Sequence, residues 1–408
     1  MLFDLLEHPD SNAKVPLYEG TFFISSMDKL FQVINLTGGV KHLYEKTRPA
    51  GTLTWKTLYK LSSSDCSKDM LRPTTITKLE RLFAGNPSAI SSITTVMAKG
   101  AHWPEHSQWM SLIDGGLFGH PAARGYWVSR LDTVWELFCN QIRAAKSPVE
   151  RIRIFAESSL SKDFGCELTQ KRLIQFLESK PSTDKLLAST ALRHHMRACE
   201  VTTMLRFGAW LVADWVDAHW DDAVRVGDQE RIFLQILLPK FESETSSFSC
   251  PVGACIEQMA KVTDCPDGKA SASHLGQLWA DFEFDQNIAQ GSQNTVQSKQ
   301  RLIRLWLDGN KGRPDAKSVF SLSKAVVYSV SGEADFDHSD QNPTTFFLGC
   351  GLIFSESCRY LLKKLIKEHF TAEEIVAIFS TYEDEYRKAR SSFGKPLSAN
   401  ENTIPVES

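Results

Sequence analysis

Apolar residues in this chain recur mostly three and four positions apart and seldom alternate, the spacing that gathers side chains on one face of an α-helix. The pattern is most sustained over 126–241. Val128, Leu131, Val134, Trp135, Phe138 and Ile142 form one stripe, Ser147-Pro148 opens a helix over 152–160, and 169–177, 183–220 and 232–238 continue the period. Leu275, Leu278, Trp279 and Phe282 predict a helix over 274–287. Over 346–390 the spacing predicts two more. Leu352, Ile353, Tyr360, Leu361, Leu365 and Ile366 line the first. Thr371-Ala-Glu-Glu opens the second as a capping box, in which Thr and Glu satisfy orphan amides reciprocally. Alternating stretches are scarce, and VVYSV at 326–330 is the best strand candidate.

The expected fold is therefore mainly α and multi-helical. A chain of 408 residues is too long for one core, and the pattern divides it serially. An N-terminal helical domain is expected over 1–120 and a central helical bundle over 121–245. A cysteine-bearing linker over 246–272 is poor in periodicity, and a C-terminal helical domain follows over 273–390. The polar segment 391–408 is expected to be disordered.

Within this plan, 293–326 is where the chain concentrates basic residues on an amphipathic helix. Leu302, Ile303, Trp306 and Leu307 gather on one side, and Gln297, Gln300, Arg301 and Arg304 on the other. Lys299 falls on the apolar side near the helix start, where a long side chain escapes along the surface. Asp308-Gly309-Asn310 ends the helix, because Gly and Asn tolerate the left-handed conformation. Arg313-Pro314 then opens a second helix carrying Val319, Leu322 and Val326. Between Ser298 and Lys324, seven basic residues (Lys299, Arg301, Arg304, Lys311, Arg313, Lys317, Lys324) stand against Asp308 and Asp315, a surplus of five.

This order, a helix, Trp-Leu-x-Gly, a short loop, Arg-Pro and a second apolar helix, resembles the second half of lambda-repressor-like helix-turn-helix DNA-binding domains. In that family the first of these helices lies in the major groove. The resemblance implies that Ser298, Arg301 and Arg304 stand near bases or phosphates and that Trp306 fills a small core. Lys311, Arg313 and Lys317 extend the basic set. Upstream the chain departs from the family, since Gly291 stands farther from Trp306 than the usual spacing allows. A second unit at 40–83 echoes the plan, with Thr54 as an N-cap, Trp55, Leu58, Tyr59 and Leu61 on one face, and Arg72-Pro73 opening the next helix. There Lys56, Thr57, Lys60 and Arg72 are the corresponding candidates for nucleic-acid contact. Over 38–83 nine basic residues (Lys41, Lys46, Arg48, Lys56, Lys60, Lys68, Arg72, Lys78, Arg81) face four acidic ones (Glu45, Asp65, Asp69, Glu80), again a surplus of five.

Both surpluses sit on a chain of net charge -3, so the positive charge is local. The opening residues carry early acids and no basic stretch before an apolar run, which argues against a signal peptide, and no apolar window reaches spanning length. A cytoplasmic protein without a membrane span is expected. The nine cysteines are scattered, as buried thiols in a reducing compartment are. Cys250, Cys255, Cys265 and His274 lack the close pairs of a zinc site, and Pro104 breaks the helix that His102 and His106 would need. In the central block His194, His195, Glu200, Asp214, Asp217, His219 and Asp221 include no Glu-x-x-His pair for a di-metal bundle. GxGxxG, Walker, GxSxG and HExxH motifs are missing. The sequence predicts no cofactor, no metal and no catalytic set. The expected activity is binding of double-stranded DNA by a prokaryotic or mobile-element regulator of transcription. The alternative is a helical scaffold that meets RNA or an acidic protein partner, and the third is an enzyme working in the central His/Asp block.

Overall fold

The computed structural model of the chain describes residues 72–82, 118–142, 144–219, 236–265, 271–286, 293–309, 312–332 and 342–394, with residue 113 and parts of 33–62. Among them are α1 (Trp55–Ser62), α2 (Pro73–Leu82), α3 (Pro121–Leu137, running into a π-helical turn at Phe138–Ile142), α4 (Pro148–Glu157), α5 (Ser159–Phe164), α6 (Glu167–Glu178), α7 (Thr183–Ala188) and α8 (Thr190–His219). A two-stranded hairpin, β1 (Phe241–Glu242) and β2 (Ser247–Phe248), precedes α9 (Pro251–Val262), α10 (Ser271–Asp285), α11 (Gln293–Asp308), α12 (Ala316–Ser331), α13 (Pro343–Lys367) and α14 (Ala372–Ser392). The fold is mainly α and multi-helical. No helix among the described residues is long and apolar enough to cross a membrane.

The chain forms two compact units, and their division is not serial. Unit 1 takes Met1–Leu30, Thr47–Gly227 and Phe370–Ser408, while unit 2 takes Phe31–Lys46 and Asp228–His369.

Unit 1 is built around α8. Leu192, Met196, Cys199, Val201, Leu205, Phe207, Trp210, Ala213 and Val216 are all buried, so this helix is covered on several sides rather than along one stripe. Its longest partner is α14. Between them Glu385 of α14 is buried and takes three donors: Tyr126 Oη and Trp210 Nε1 to Oε2, each at 2.8 Å, and Arg206 Nη1 to Oε1 at 2.6 Å. Burial raises the Glu385 pKa, but the Arg206 charge and the two neutral donors outweigh it and hold the carboxyl below its ordinary value. The Tyr126 ring stacks on Trp210 with centroids 4.0 Å apart. The capping box is present as the sequence predicts: Thr371 Oγ1 accepts from Glu374 N, and Glu374 Oε2 accepts from Thr371 N at 2.9 Å.

In unit 2, α11 packs along α10, α12 packs on α10 and α13, and α9 packs on α13. The segment before residue 38 joins this unit, with Ser357 Oγ donating to Val33 O at 3.1 Å and Ala316 N to Thr37 O at 2.7 Å.

Three expectations give way. VVYSV lies inside α12, not in a strand, because Val319, Leu322 and Val326 bury one helical face and that packing overrides β-branched propensity. The expected linker contains α9, whose Val252, Cys255, Ile256, Met259 and Ala260 are buried. The segment expected to be disordered from residue 391 opens with ordered residues. Ser391 and Ser392 complete α14, and Phe393, 8% exposed, sets its ring 4.1 Å from that of His120 and 5.9 Å from that of Trp210. Residues 395–408 lie outside the described residues.

Phe393→Ala is expected to cost about 3 kcal/mol, the usual loss on emptying a buried aromatic site. Urea unfolding followed by Trp fluorescence reads it, and a change under about 0.5 kcal/mol would mean that the ring contributes no packing.

Candidate nucleic-acid interface

The side chains of α11 sort into three faces. Ile303 and Trp306 are buried, with the Trp306 ring 6.0 Å from that of Trp279 on α10. The second face meets α10 closely: a Cβ at Gly276 would lie 2.8 Å from Gln300 N and 2.9 Å from Gln300 Cα, so only glycine lets the two backbones approach there. Gln300, expected on the outward face, instead reaches Ser273 O with Nε2 at 3.2 Å. Lys299 does not escape to solvent either. Its ammonium lies 3.9 Å from the Trp279 ring centroid and 2.6 Å from Glu283 Oε1, a cation held by a π-face and a carboxylate together. Glu283 Oε1 also accepts from Ser321 Oγ at 3.1 Å, and that hydroxyl accepts from Trp279 Nε1 at 2.8 Å, so one carboxylate ties α10, α11 and α12.

The third face is exposed and carries Gln297, Ser298, Arg301, Arg304 and Asp308. Arg301 and Arg304 stand one turn apart, and no acid among the described residues pairs with either. Arg304 Nη2 lies 3.2 Å from Ser273 Oγ.

The end of α11 is held by α13. Arg359 Nη1 donates to Trp306 O, and Lys363 Nζ donates to Gly309 O at 3.0 Å, placing two cations on the carbonyls a helix leaves unpaired. Gly309 has φ +66°, and a Cβ there would sit 2.6 Å from Arg359 Nη1, so this terminator needs glycine for conformation and for room.

The basic surplus counted in the sequence is smaller in space. Glu283, from α10, neutralises Lys299. Arg313 Nε lies 3.7 Å from Glu356 Oε1, a carboxylate on α13. Lys317 is exposed on the first turn of α12, where Asp315 is the N-cap and accepts from Ser318 N at 3.0 Å. With Ala316 N bound to Thr37 O, that helix start presents a carboxylate and filled amides. Lys311 lies outside the described residues. Seven residues, 286–292, separate α10 from α11, against three or four in a helix-turn-helix.

The second candidate set belongs to unit 1. Lys56 and Arg72 are exposed, and Lys60 lies on α1. Thr57 is half-buried, and Thr54 Oγ1 accepts from Thr57 N at 3.3 Å, which is the cap the sequence predicts.

No three His, Cys, Asp or Glu side chains among the described residues are placed to hold a metal ion. Cys255 is buried 2.9 Å from Ser355 Oγ, its thiol pushed up to about 12 by burial, while His274 Nε2 turns to Thr263 Oγ1 at 2.8 Å. In the central block, Asp214 accepts the amides of Gly119 and His120 at 2.8 and 2.6 Å, Asp217 pairs with Arg390 at 3.2 Å, and Glu200 pairs with Arg197. His194 stacks on Phe370 at 4.2 Å. His102, His106 and Asp221 lie outside the described residues.

Among the described residues of this block, His195 has the arrangement that resembles a catalytic relay. The Thr169 hydroxyl donates to Cys166 O at 2.9 Å, so it accepts from Nδ1–H at 3.0 Å, leaving Nε2 to accept the Ser161 hydroxyl at 2.7 Å. Ser161 and His195 are both 0% exposed, and Cys199 Sγ closes the cluster 3.6 Å from Nε2. A nucleophile and base so enclosed meet no substrate, and the cluster holds α5, α6 and α8 together. The sequence reading missed Ser161 and Thr169, since their only signal is a partner on another helix.

No protein-family model matches the chain, and neither the curated proteins nor the solved structures include a significant match.

Burial pushes the His195 pKa down to about 4 from an ordinary 6.5. The unfolded chain therefore takes up this proton first as pH falls. His195 contributes no loss of stability above pH 6.5, and between pH 6.5 and 4 folding should weaken by about 1.4 kcal/mol per unit, roughly 3 kcal/mol in all. Unfolding free energies from urea titrations across that window should differ in pH slope by this amount between the parent and His195→Gln. Equal slopes would remove His195 as the acid-sensitive group.

Proposed function

We propose that unit 2 binds double-stranded DNA through the exposed face of α11, with Ser298, Arg301 and Arg304 turned to bases and phosphates and Arg313 and Lys317 to phosphates. The role that goes with it is transcriptional regulation in the cytoplasm. The observation that carries the reading is the pair Arg301 and Arg304: one turn apart, exposed, in no ion pair with an acid among the described residues, and mounted on a helix fixed from behind. A reading helix must be rigid, because it spends binding free energy on contacts rather than on its own ordering. Ile303, Trp306, the Lys299–Glu283 pair and the Arg359 cap supply that rigidity. Arginine is also the side chain whose planar fork matches guanine O6 and N7 or a phosphate.

A second reading, a scaffold that meets RNA or an acidic protein, draws on the same exposed cations, and the pairing of Lys299 and Arg313 with carboxylates narrows the positive surface open to any polyanion.

The double variant Arg301→Ala/Arg304→Ala should bind a random duplex pool at least about tenfold more weakly with unchanged circular dichroism, since one bidentate arginine contact is worth about 1 to 3 kcal/mol. Trp306→Ala should lose binding by unfolding unit 2. Equal affinity of the double variant and the parent at low salt would take α11 off the binding surface and put the scaffold reading ahead.

A further inference from the structure

The second half of α13 carries more than an apolar stripe: Arg359 to His369 holds four basic side chains (Arg359, Lys363, Lys364, Lys367) against Glu368. The fold gathers this charge with Arg313 at the end of α11. Glu356, 3% exposed, pairs with Arg359 and lies 3.7 Å from Arg313, while Lys363 reaches Gly309 O at 3.0 Å. Three cations, Arg359, Arg313 and Lys363, thus act on one buried carboxylate. Lys367 follows Lys363 one turn later and is exposed, as is Lys363. Arg313, 52% exposed, also lies 5.5 Å from the ring centroid of half-buried Tyr360.

Resting on the DNA reading of α11, we propose that Arg313, Lys363 and Lys367 form a second contact surface that grips the phosphodiester backbone of the same duplex. The Gly309–Lys363 bond sets this surface at the end of α11. Arg304 stands five residues back, roughly 8 Å at about 1.5 Å per residue, so both surfaces fall along one short stretch of strand. The chemistry differs between them. Lysine ammonium groups are point charges that hold phosphate without selecting a base, whereas the arginine and amide side chains of α11 have the fork geometry that reads base edges.

Lysines in a last helical turn also offset the helix dipole, and loss of that role alone lowers melting temperature without touching the salt dependence of binding. The test therefore measures the full-length protein's affinity for duplex DNA over a series of salt concentrations, for the parent, Lys363→Gln/Lys367→Gln, Lys367→Gln alone and Arg301→Ala/Arg304→Ala. The lysine pair variant is expected to lower the slope of log affinity against log salt by about two, and Lys367→Gln by about one, equally on every sequence. Because Lys363 also caps α11, Lys367→Gln, which breaks no hydrogen bond described above, keeps the test valid if the pair variant is misfolded. An unchanged slope in Lys367→Gln and the pair variant, with binding lost in the arginine variant, overturns this surface and leaves the α11 reading standing. A lowered slope in the lysine variants with full binding in the arginine variant keeps the phosphate grip and removes α11. A parent that binds RNA or polyglutamate but no duplex DNA overturns both.

Discussion

A carboxylate taken out of water must be met by cations and donors, or its burial costs several kcal/mol. Glu283, Glu356, Glu374 and Glu385 impose that demand here, and each draws at least one partner from outside its own helix. In unit 1, Glu385 draws Tyr126, Arg206 and Trp210 to one point, and Glu374 serves both its own helix cap and Arg172 at 2.6 Å. In unit 2, Glu283 and Glu356 fix the two ends of α11. The geometry of the candidate interface is thus a consequence of where acids are buried, before any ligand is considered.

Much of the helical plan was legible because helix packing writes itself as a local period. The stripe through Val128, Leu131 and Val134 and the box at Thr371 and Glu374 need no knowledge of the partner helix. What failed depends on neighbours. VVYSV looks like a strand until α10 and α13 cover its helical face, and Phe393 looks like part of a polar tail until His120 and Trp210 are beside it. The discontinuity of the units leaves no local trace at all, since it is set by α14 returning to α8.

The candidate site follows the same division. The inward Ile303 and Trp306 and the outward Arg301 and Arg304 come directly from the 3.6-residue period. Gln300 was misplaced because a glycine on α10 admits its backbone, and Lys299 because an indole and a carboxylate hold it. Counting charge within a segment overstates its field when the compensating acids arrive from elsewhere, and understates it where cations such as Lys363 and Lys367 arrive from elsewhere.

The dependence of α8 on α14 also orders events during synthesis. Tyr126, Arg206 and Trp210 leave the ribosome long before Glu385, and the whole of 228–369 is made in between. Through that interval the apolar length of α8 has no native cover on its α14 side, whereas unit 2 already holds every helix described for it. Unit 1 is therefore the late-closing part of this molecule, because α8 waits for α14.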